Sequence, residues 1–288
     1  MSFTDQEHSY LTQSLKLNND IEQTKALDKT KMILSNQKPI RILVTAGGTQ
    51  EPIDAVRVIS NLSSGRTGIQ IAENLQNAGF QVTLVRSKNS QGTASTLKEK
   101  VFTDYQSLQQ ILESELSNEH FDAVIHSAAV SDYSVQHVGE YSNQQVKNKM
   151  SSDKDQVTLV LKKNPKLIDS FKHYTLNKNM ICFGFKLTVR ANEDERKAAV
   201  KKLFDHSDVD YVVHNDLSEI DVESGTHLFH VYNKYMTSSM MQNNSDLCYF
   251  ISQILIKKMR TDTPIDSIKN SISQEDKNDS IESEENLL

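Results

Sequence analysis

Apolar residues in this chain come in short runs separated by polar loops. After Pro39, residues 40–46 form a largely apolar run of strand length, which reads as a buried strand. Ile71, Ala72, Leu75 and Ala78 share one helical face and predict a helix over 69–78, stopped by Gly79. Val82, Leu84 and Val85 predict a strand over 81–85, and Leu108, Ile111, Leu112 and Leu116 a second helix. Residues 123–125 read as another buried strand. Strand–helix–strand–helix–strand implies a parallel sheet with helices on both faces. Further on, Val157, Leu159 and Leu161 alternate with polar residues, as in a half-exposed strand. Residues 181–185 and 211–214 read as strands flanking a charged helix over 194–204. A late strand over 228–232 and a closing amphipathic helix over 247–258 complete the pattern. The expected fold is α/β: a doubly wound, Rossmann-like, mostly parallel sheet in a single domain over 39–259.

The ends break the pattern. Residues 1–38 are polar, with weak helical spacing at Leu11, Leu15 and Ile21, and read as an extension. Residues 260–288 carry Ser, Asn, Asp, Glu and Lys with isolated isoleucines. Such a segment buries too little apolar surface to offset its ordering entropy, so a disordered tail is expected. Residues 261–288 hold eight acids and two lysines, which accounts for the whole formal charge of −6. The remainder is balanced, so no basic field points to nucleic acid and no polybasic run to a membrane surface. No apolar run approaches the ~20 residues of a membrane span. The N-terminus lacks the basic and apolar regions of a signal peptide, so a cytoplasmic protein is expected. Cys182 and Cys248 sit in apolar runs and read as buried thiols, and no Cys/His spacing suggests a structural metal.

Chemistry gathers where loops follow strands. Gly47, Gly48 and Thr49 follow the first strand, and Ser63, Ser64 and Gly65 precede the first helix. Backbone N–H groups and a helix N-terminus converging there suit a phosphate, with both serines able to cap the helix. The stretch is neither G-x-G-x-x-G with a helix directly behind it nor a Walker loop. Between the clusters, Arg57 suits an anionic substrate and Asn61 a developing oxyanion. Ala128 and Asp132 follow the third strand, where small residues admit a flat base and Asp132 a ribose or metal contact. Lys147 and Lys149 lie in a polar loop, and Lys186 at the end of a buried strand faces the expected crevice. Lys197, Lys201 and Lys202 lie on the charged helix with Arg196. His126 and His214 flank strand ends without a nucleophile partner and read as structural or rim residues.

The chain resembles the phosphopantothenate–cysteine ligases, of the standalone, monofunctional type. The carrying residues are 44–68 (VTAGGTQEPIDAVRVISNLSSGRTG), 128–133, 147–149, 163–168, 184–187 and 213–217, in family order. The resemblance implies activation of the carboxylate of 4′-phosphopantothenate by a nucleoside triphosphate carrying Mg²⁺, then attack of the L-cysteine amine on the acyl-nucleotide. It implies that Asn61 binds the acyl-nucleotide carbonyl, with Arg57 in support. Ala128, Asp132, Asn164, Pro165, Leu167 and Phe185 would shape the nucleotide pocket, and Lys147, Lys186 and Lys202 would contact phosphates. His206 stands where many relatives have a further lysine. The resemblance also implies a homodimer, CTP in preference to ATP, no flavin in this chain, and a phosphopantothenoylcysteine decarboxylase supplied separately. Two other classes share the sequence pattern. One is an NAD(P)-dependent oxidoreductase on the same fold, which the missing G-x-G-x-x-G disfavours. The other is a non-catalytic, ligase-derived regulatory subunit, which intact Asn61, Lys147 and Lys186 disfavour.

Overall fold

The computed structural model describes residues 38–90, 97–139, 149–150, 155–221 and 226–262, together with Thr30, Lys31 and Leu34. Strand β1 (Arg41–Ala46) leads into a small arm, β2 (Gln50–Pro52) paired antiparallel with β3 (Val58–Ser60). Helix α1 (Arg66–Asn77) follows, then β4 (Gln81–Ser87), β5 (Lys98–Phe102) and α2 (Tyr105–Asn118). Strand β6 (Ala123–His126) precedes a second arm, β7 (Tyr133–Val138) paired antiparallel with β8 (Leu159–Lys163). Next come a short helix α3 (Phe171–Tyr174), β9 (Ile181–Thr188), α4 (Glu193–His206) and β10 (Tyr211–Asp216). The hairpin β11 (Ile220–Asp221) and β12 (Thr226–His227), then β13 (Phe229–Asn233), β14 (Ser238–Met241) and α5 (Asn244–Asp262) close the chain.

Eight strands form one sheet in the order β14-β13-β10-β9-β6-β1-β4-β5. The six from β10 to β5 are parallel, and β13 and β14 are added antiparallel at one edge. The doubly wound, mostly parallel sheet expected from the apolar runs is therefore present. Strand order reverses at β1, with β4 and β5 on one side and β6, β9 and β10 on the other. Ligand crevices form beyond the carboxyl ends of strands at such a reversal.

Parallel strands covered on both faces are rich in apolar residues, which is why β1, β4 and β6 are legible as short apolar runs. On one face Leu43, Val124, Cys182 and Val212 pack with Leu108, Leu112 and Leu116 of α2, Phe171 of α3 and Val200 of α4. Gly68 lets α1 lie directly on β1: a Cβ there would stand 2.8 Å from Ala46 Cβ and 2.3 Å from Ser127 Oγ. Leu34, from the polar extension, is buried beside Gly79 at the end of α1.

The chain divides into two compact units, residues 1–249, which hold the sheet, and residues 250–288. Within the first, Leu247 is fully buried and Cys248 Sγ lies 3.9 Å from the Ile71 carbonyl of α1. The structure describes the closing helix as far as Asp262, and the remainder of the tail lies outside the described residues.

Candidate functional site

The two arms bring together loops that are far apart in sequence. The β2–β3 arm turns the chain back so that Asn61 returns to Gly48, whose Cβ would meet the Asn61 carbonyl at 3.0 Å. The β7–β8 arm joins the loop after β6 to the stretch after β8, and the Asn164 N–H donates to the Asp132 carbonyl at 2.8 Å. Beyond their strand ends β1 and β6 remain linked. The Ala129 N–H donates to Gly47 O at 2.9 Å and the Thr49 N–H to Ala129 O at 3.3 Å. One crevice therefore carries Gly47–Thr49, Asn61–Gly65, Ala128–Asp132 and the start of the segment after β8.

The two glycine turns abut. Gly47 has φ 88° and Gly65 φ 75°, backbone conformations that L side chains rarely adopt. A Cβ on Gly65 would lie 3.1 Å from the Gly47 nitrogen and 2.9 Å from Ser90 Cβ, and one on Gly47 would lie 2.7 Å from Ser87 Cβ. Helices α2 and α4 begin with reciprocal side-chain caps, Asp104 with Ser107 and Asn192 with Glu195. Helix α1 does not. Its N-cap is Gly65 without a side-chain bond, and Ser64 Oγ reaches only the Arg66 N–H, at a long 3.4 Å. The expectation that both serines cap this helix is corrected: an αL glycine holds the cap position, and both serines are exposed. The N-terminal N–H groups and the positive end of the α1 dipole are left for an anion.

Asn61 stands across this space. Its Nδ2 donates to the carbonyls of Ala129 and Val130, both at 3.3 Å. These are long bonds, and Asn61 is exposed, so its amide can exchange them for a ligand oxygen at small cost. Arg57 is tethered. Its Nη1 pairs at 3.0 Å with Asp54, a carboxylate whose side chain is fully buried. Asp54 also accepts the N–H groups of Val56 at 2.9 Å, Arg57 at 2.8 Å and Met150 at 3.1 Å. Those backbone N–H donors, led by Val56 and Met150, hold its pKa below the ordinary carboxylate value. The same carboxylate thus fixes Arg57 and the chain just past the loop that carries Lys147. Lys147 itself lies outside the described residues.

Several predicted residues turn out to hold the walls. Thr49 is buried and its hydroxyl accepts the Ser131 N–H at 2.9 Å. Asn164 is buried, donating to Ser131 O at 3.0 Å, with its Oδ1 3.0 Å from the Ser134 Oγ as an alternative acceptor. Leu167 belongs to the core beside Ile168 and Phe171. Pro165 is exposed, and its carbonyl accepts the Tyr105 hydroxyl at 3.0 Å. Ala128 and Phe185 are half-buried, and Asp132 is exposed and ion-paired with Lys166. Lys186 lies within β9, which runs past the predicted end to Thr188. Strand β6 stops level with Gly184, so Lys186 stands beyond it at the crevice. Lys202 is exposed on α4, and the neighbouring Leu203 packs over Gly184. His206 is exposed one turn further on, its Nδ1 2.8 Å from Lys202 O.

The buried polar groups behind these loops carry little signal in the amino-acid pattern. Glu51 is 3% exposed and accepts the Tyr105 N–H at 2.9 Å and the Ser134 hydroxyl at 2.6 Å. His126 is buried edge-on to Phe171, its Nδ1 2.9 Å from the Thr45 hydroxyl. That hydroxyl also accepts the Ala128 N–H at 3.1 Å. Burial, and then the nearby Lys166 charge, push the His126 pKa down to about 4. His214 is fully buried against Thr188 and is also pushed down to about 4, chiefly by burial. Both imidazoles are neutral and structural. Among the described residues no group of three His, Cys, Asp or Glu side chains could hold a metal, and no helix is long and apolar enough to cross a membrane.

The profile of the DNA/pantothenate metabolism flavoprotein C-terminal domain matches residues 37–256. The coenzyme A biosynthesis bifunctional protein CoaBC of Thermococcus kodakarensis is 37% identical over 183 residues, 64% of this chain and 43% of that protein. The chain thus spans about two fifths of the length of the curated relatives it matches. A solved DNA/pantothenate metabolism flavoprotein from Streptococcus pneumoniae is 30% identical with a TM-score of 0.65, covering 78% of this chain and 100% of that one. At 16% identity and a TM-score of 0.59, the fold is shared with a Cab2 H337A mutant solved with phosphopantothenate-cysteine, over 85% of this chain and 96% of that one.

Proposed function

The chain belongs to the DNA/pantothenate metabolism flavoprotein C-terminal domain family, and from that premise we propose that it joins 4′-phosphopantothenate to L-cysteine through an acyl-nucleotide. The observation that carries the reading is Asn61 held across an uncapped helix N-terminus by the loop after β6. The reaction must bring a carboxylate and a triphosphate together, so their repulsion needs fixed positive dipoles and cations. The α1 N-terminus and the turns at Gly47 and Gly65 supply backbone N–H groups for phosphate. Lys186, at the crevice, and Lys147 and Lys202 supply charge.

In the first half-reaction the carboxylate oxygen attacks the α-phosphorus and pyrophosphate leaves. In the second the cysteine amine attacks the acyl carbon, the carbonyl oxygen gains negative charge, and the nucleoside monophosphate departs. Asn61 Nδ2 then trades a 3.3 Å bond to Ala129 or Val130 for that oxygen. Arg57, braced by Asp54, keeps guanidinium donors for the anionic substrate. No side-chain nucleophile is required, in keeping with Cys182 and Cys248, both buried and pushed up to about 12 by that burial. Asp132, an exposed carboxylate at this rim, would help to hold Mg²⁺ carried on the substrate phosphates, which would offset phosphate charge.

CTP in preference to ATP, a cytoplasmic location, a homodimer and a separately supplied decarboxylase complete the proposal. Steady-state assays with CTP or ATP test it. Pyrophosphate is expected with phosphopantothenate alone, and nucleoside monophosphate release only once cysteine is added. Neither product with either nucleotide refutes the reading, and faster turnover with ATP overturns the nucleotide preference.

A further inference from the structure

We propose, resting on the nucleotide-dependent reading above, that Lys166 is a nucleotide-binding residue that exchanges the Asp132 carboxylate for a phosphate oxygen when the nucleotide enters. Lys166 sits just past Asn164, whose N–H anchors the base of the β7–β8 arm to the Asp132 carbonyl. It is the N-cap of the 3-10 turn Leu167–Ser170, and its own carbonyl accepts the Asp169 N–H. The Lys166 backbone is thus fixed, while its ammonium, on a flexible four-carbon stem, pairs with Asp132 of the loop after β6. The ammonium charge also helps to lower the pKa of His126 at the end of β6.

The pair is built for exchange. The two side chains remain 59% and 55% exposed, so water competes for both partners and little holds them together. A lysine ammonium is a compact charge with three donors and moves from carboxylate to phosphate without reorganising a planar fork. The pairing screens the exposed Asp132 carboxylate from an incoming polyanion. Once Lys166 turns to phosphate, Asp132 is free for a ribose hydroxyl or for magnesium, so one displacement serves both ends of the nucleotide. No bond to either side chain forms or breaks in the process.

Calorimetric titration of the full chain with Mg-CTP and Mg-ATP tests this directly, without turnover. Lys166→Gln should weaken nucleotide binding about tenfold or more, the range of one lost charge-assisted hydrogen bond. It should also flatten the salt dependence of binding and leave phosphopantothenate affinity unchanged, and Lys166→Arg should recover most of the loss. Equal nucleotide affinity in wild type and Lys166→Gln overturns the proposal. A matching loss of phosphopantothenate affinity also overturns it, because that outcome marks a distorted arm base. A wild-type chain that binds nucleotide in a Lys166-dependent way but forms no amide would sink the ligase reading and leave this inference standing. A wild-type chain that binds no nucleotide overturns both.

Discussion

Replacing Gly65 with alanine puts a methyl group 2.9 Å from Ser90 Cβ, 3.1 Å from the Gly47 nitrogen and 3.2 Å from the Gly47 Cα. Two of these neighbours are backbone, so the turn at residue 47 or the start of α1 must move. The same substitution forces alanine to φ 75°, at about 1–2 kcal/mol for the left-handed region. It also removes unfolded-state freedom, which gives back about 0.4–1 kcal/mol. Gly139 separates these effects. It has φ 68° with nothing within 4 Å of its Cβ position among the described residues, so Gly139→Ala carries the conformational terms alone. Overpacking adds about 1–3 kcal/mol, and that increment is the expected difference between the two variants. Urea unfolding followed by circular dichroism measures it, with fluorescence as a second probe because a chain of this size need not unfold in one step. A Gly65→Ala variant no less stable than Gly139→Ala would show that the two glycine turns are not in tight contact. The reasoning that places one anion between them would fall with it.

Asn61→Asp should slow consumption of the acyl-nucleotide about 100-fold, the scale of one lost oxyanion donor, more than it slows pyrophosphate release. Normal turnover would remove Asn61 from the mechanism. Glu51→Ala strands the Tyr105 N–H while Ser134 can still turn to Asn164, so a loss of about 1–3 kcal/mol in urea unfolding is expected. Glu51→Gln, which keeps an acceptor, should lose less. His126 and His214 have folded pKa values lowered to about 4 against about 6.5 unfolded. The unfolded chain therefore takes up protons first, so their contribution to stability is complete above pH ~6.5 and is lost as pH falls toward ~4. NMR signals assigned to His126 or His214, by their loss in His126→Gln and His214→Gln variants, that titrate near 6.5 in the folded chain would contradict the burial of these rings.

The sequence reading succeeded where burial dictates composition. Strands β1, β4, β6, β9 and β10 are covered on both faces, and each stands out as an apolar run. Strand β5 went unread because its sequence is Lys-Glu-Lys-Val-Phe. It is held at the sheet edge by backbone pairing and by ion pairs, Lys98 and Lys100 with Glu115 and Arg86 with Glu99, which leave no hydrophobic period. Strand β8 is legible from the alternation of Val157, Leu159 and Leu161, but β2, β3 and β7 show no such alternation, so the pairing that assembles the crevice was not legible. Glycine at 47–48 and 65 marked the two turns themselves, because few other residues fit where two turns abut. Which of the polar residues around them face a ligand was not legible. Asn164 and Thr49 satisfy buried backbone groups, and Leu167 faces the core, distinctions that depend on partners more than 30 positions away.

Ser90 touches both glycine turns, its Cβ standing 3.4 Å from the Cβ position of Gly47 and 2.9 Å from that of Gly65. Positions 47, 65 and 90 therefore share one small volume and cannot drift separately in a descendant lineage. A larger side chain at any one becomes tolerable only after another has shrunk, and with glycine already at two of them the sole slack is the serine's own side chain. Selection on this crevice acts on a three-residue unit drawn from three different loops, and a substitution inherited at one of them constrains the history of the other two.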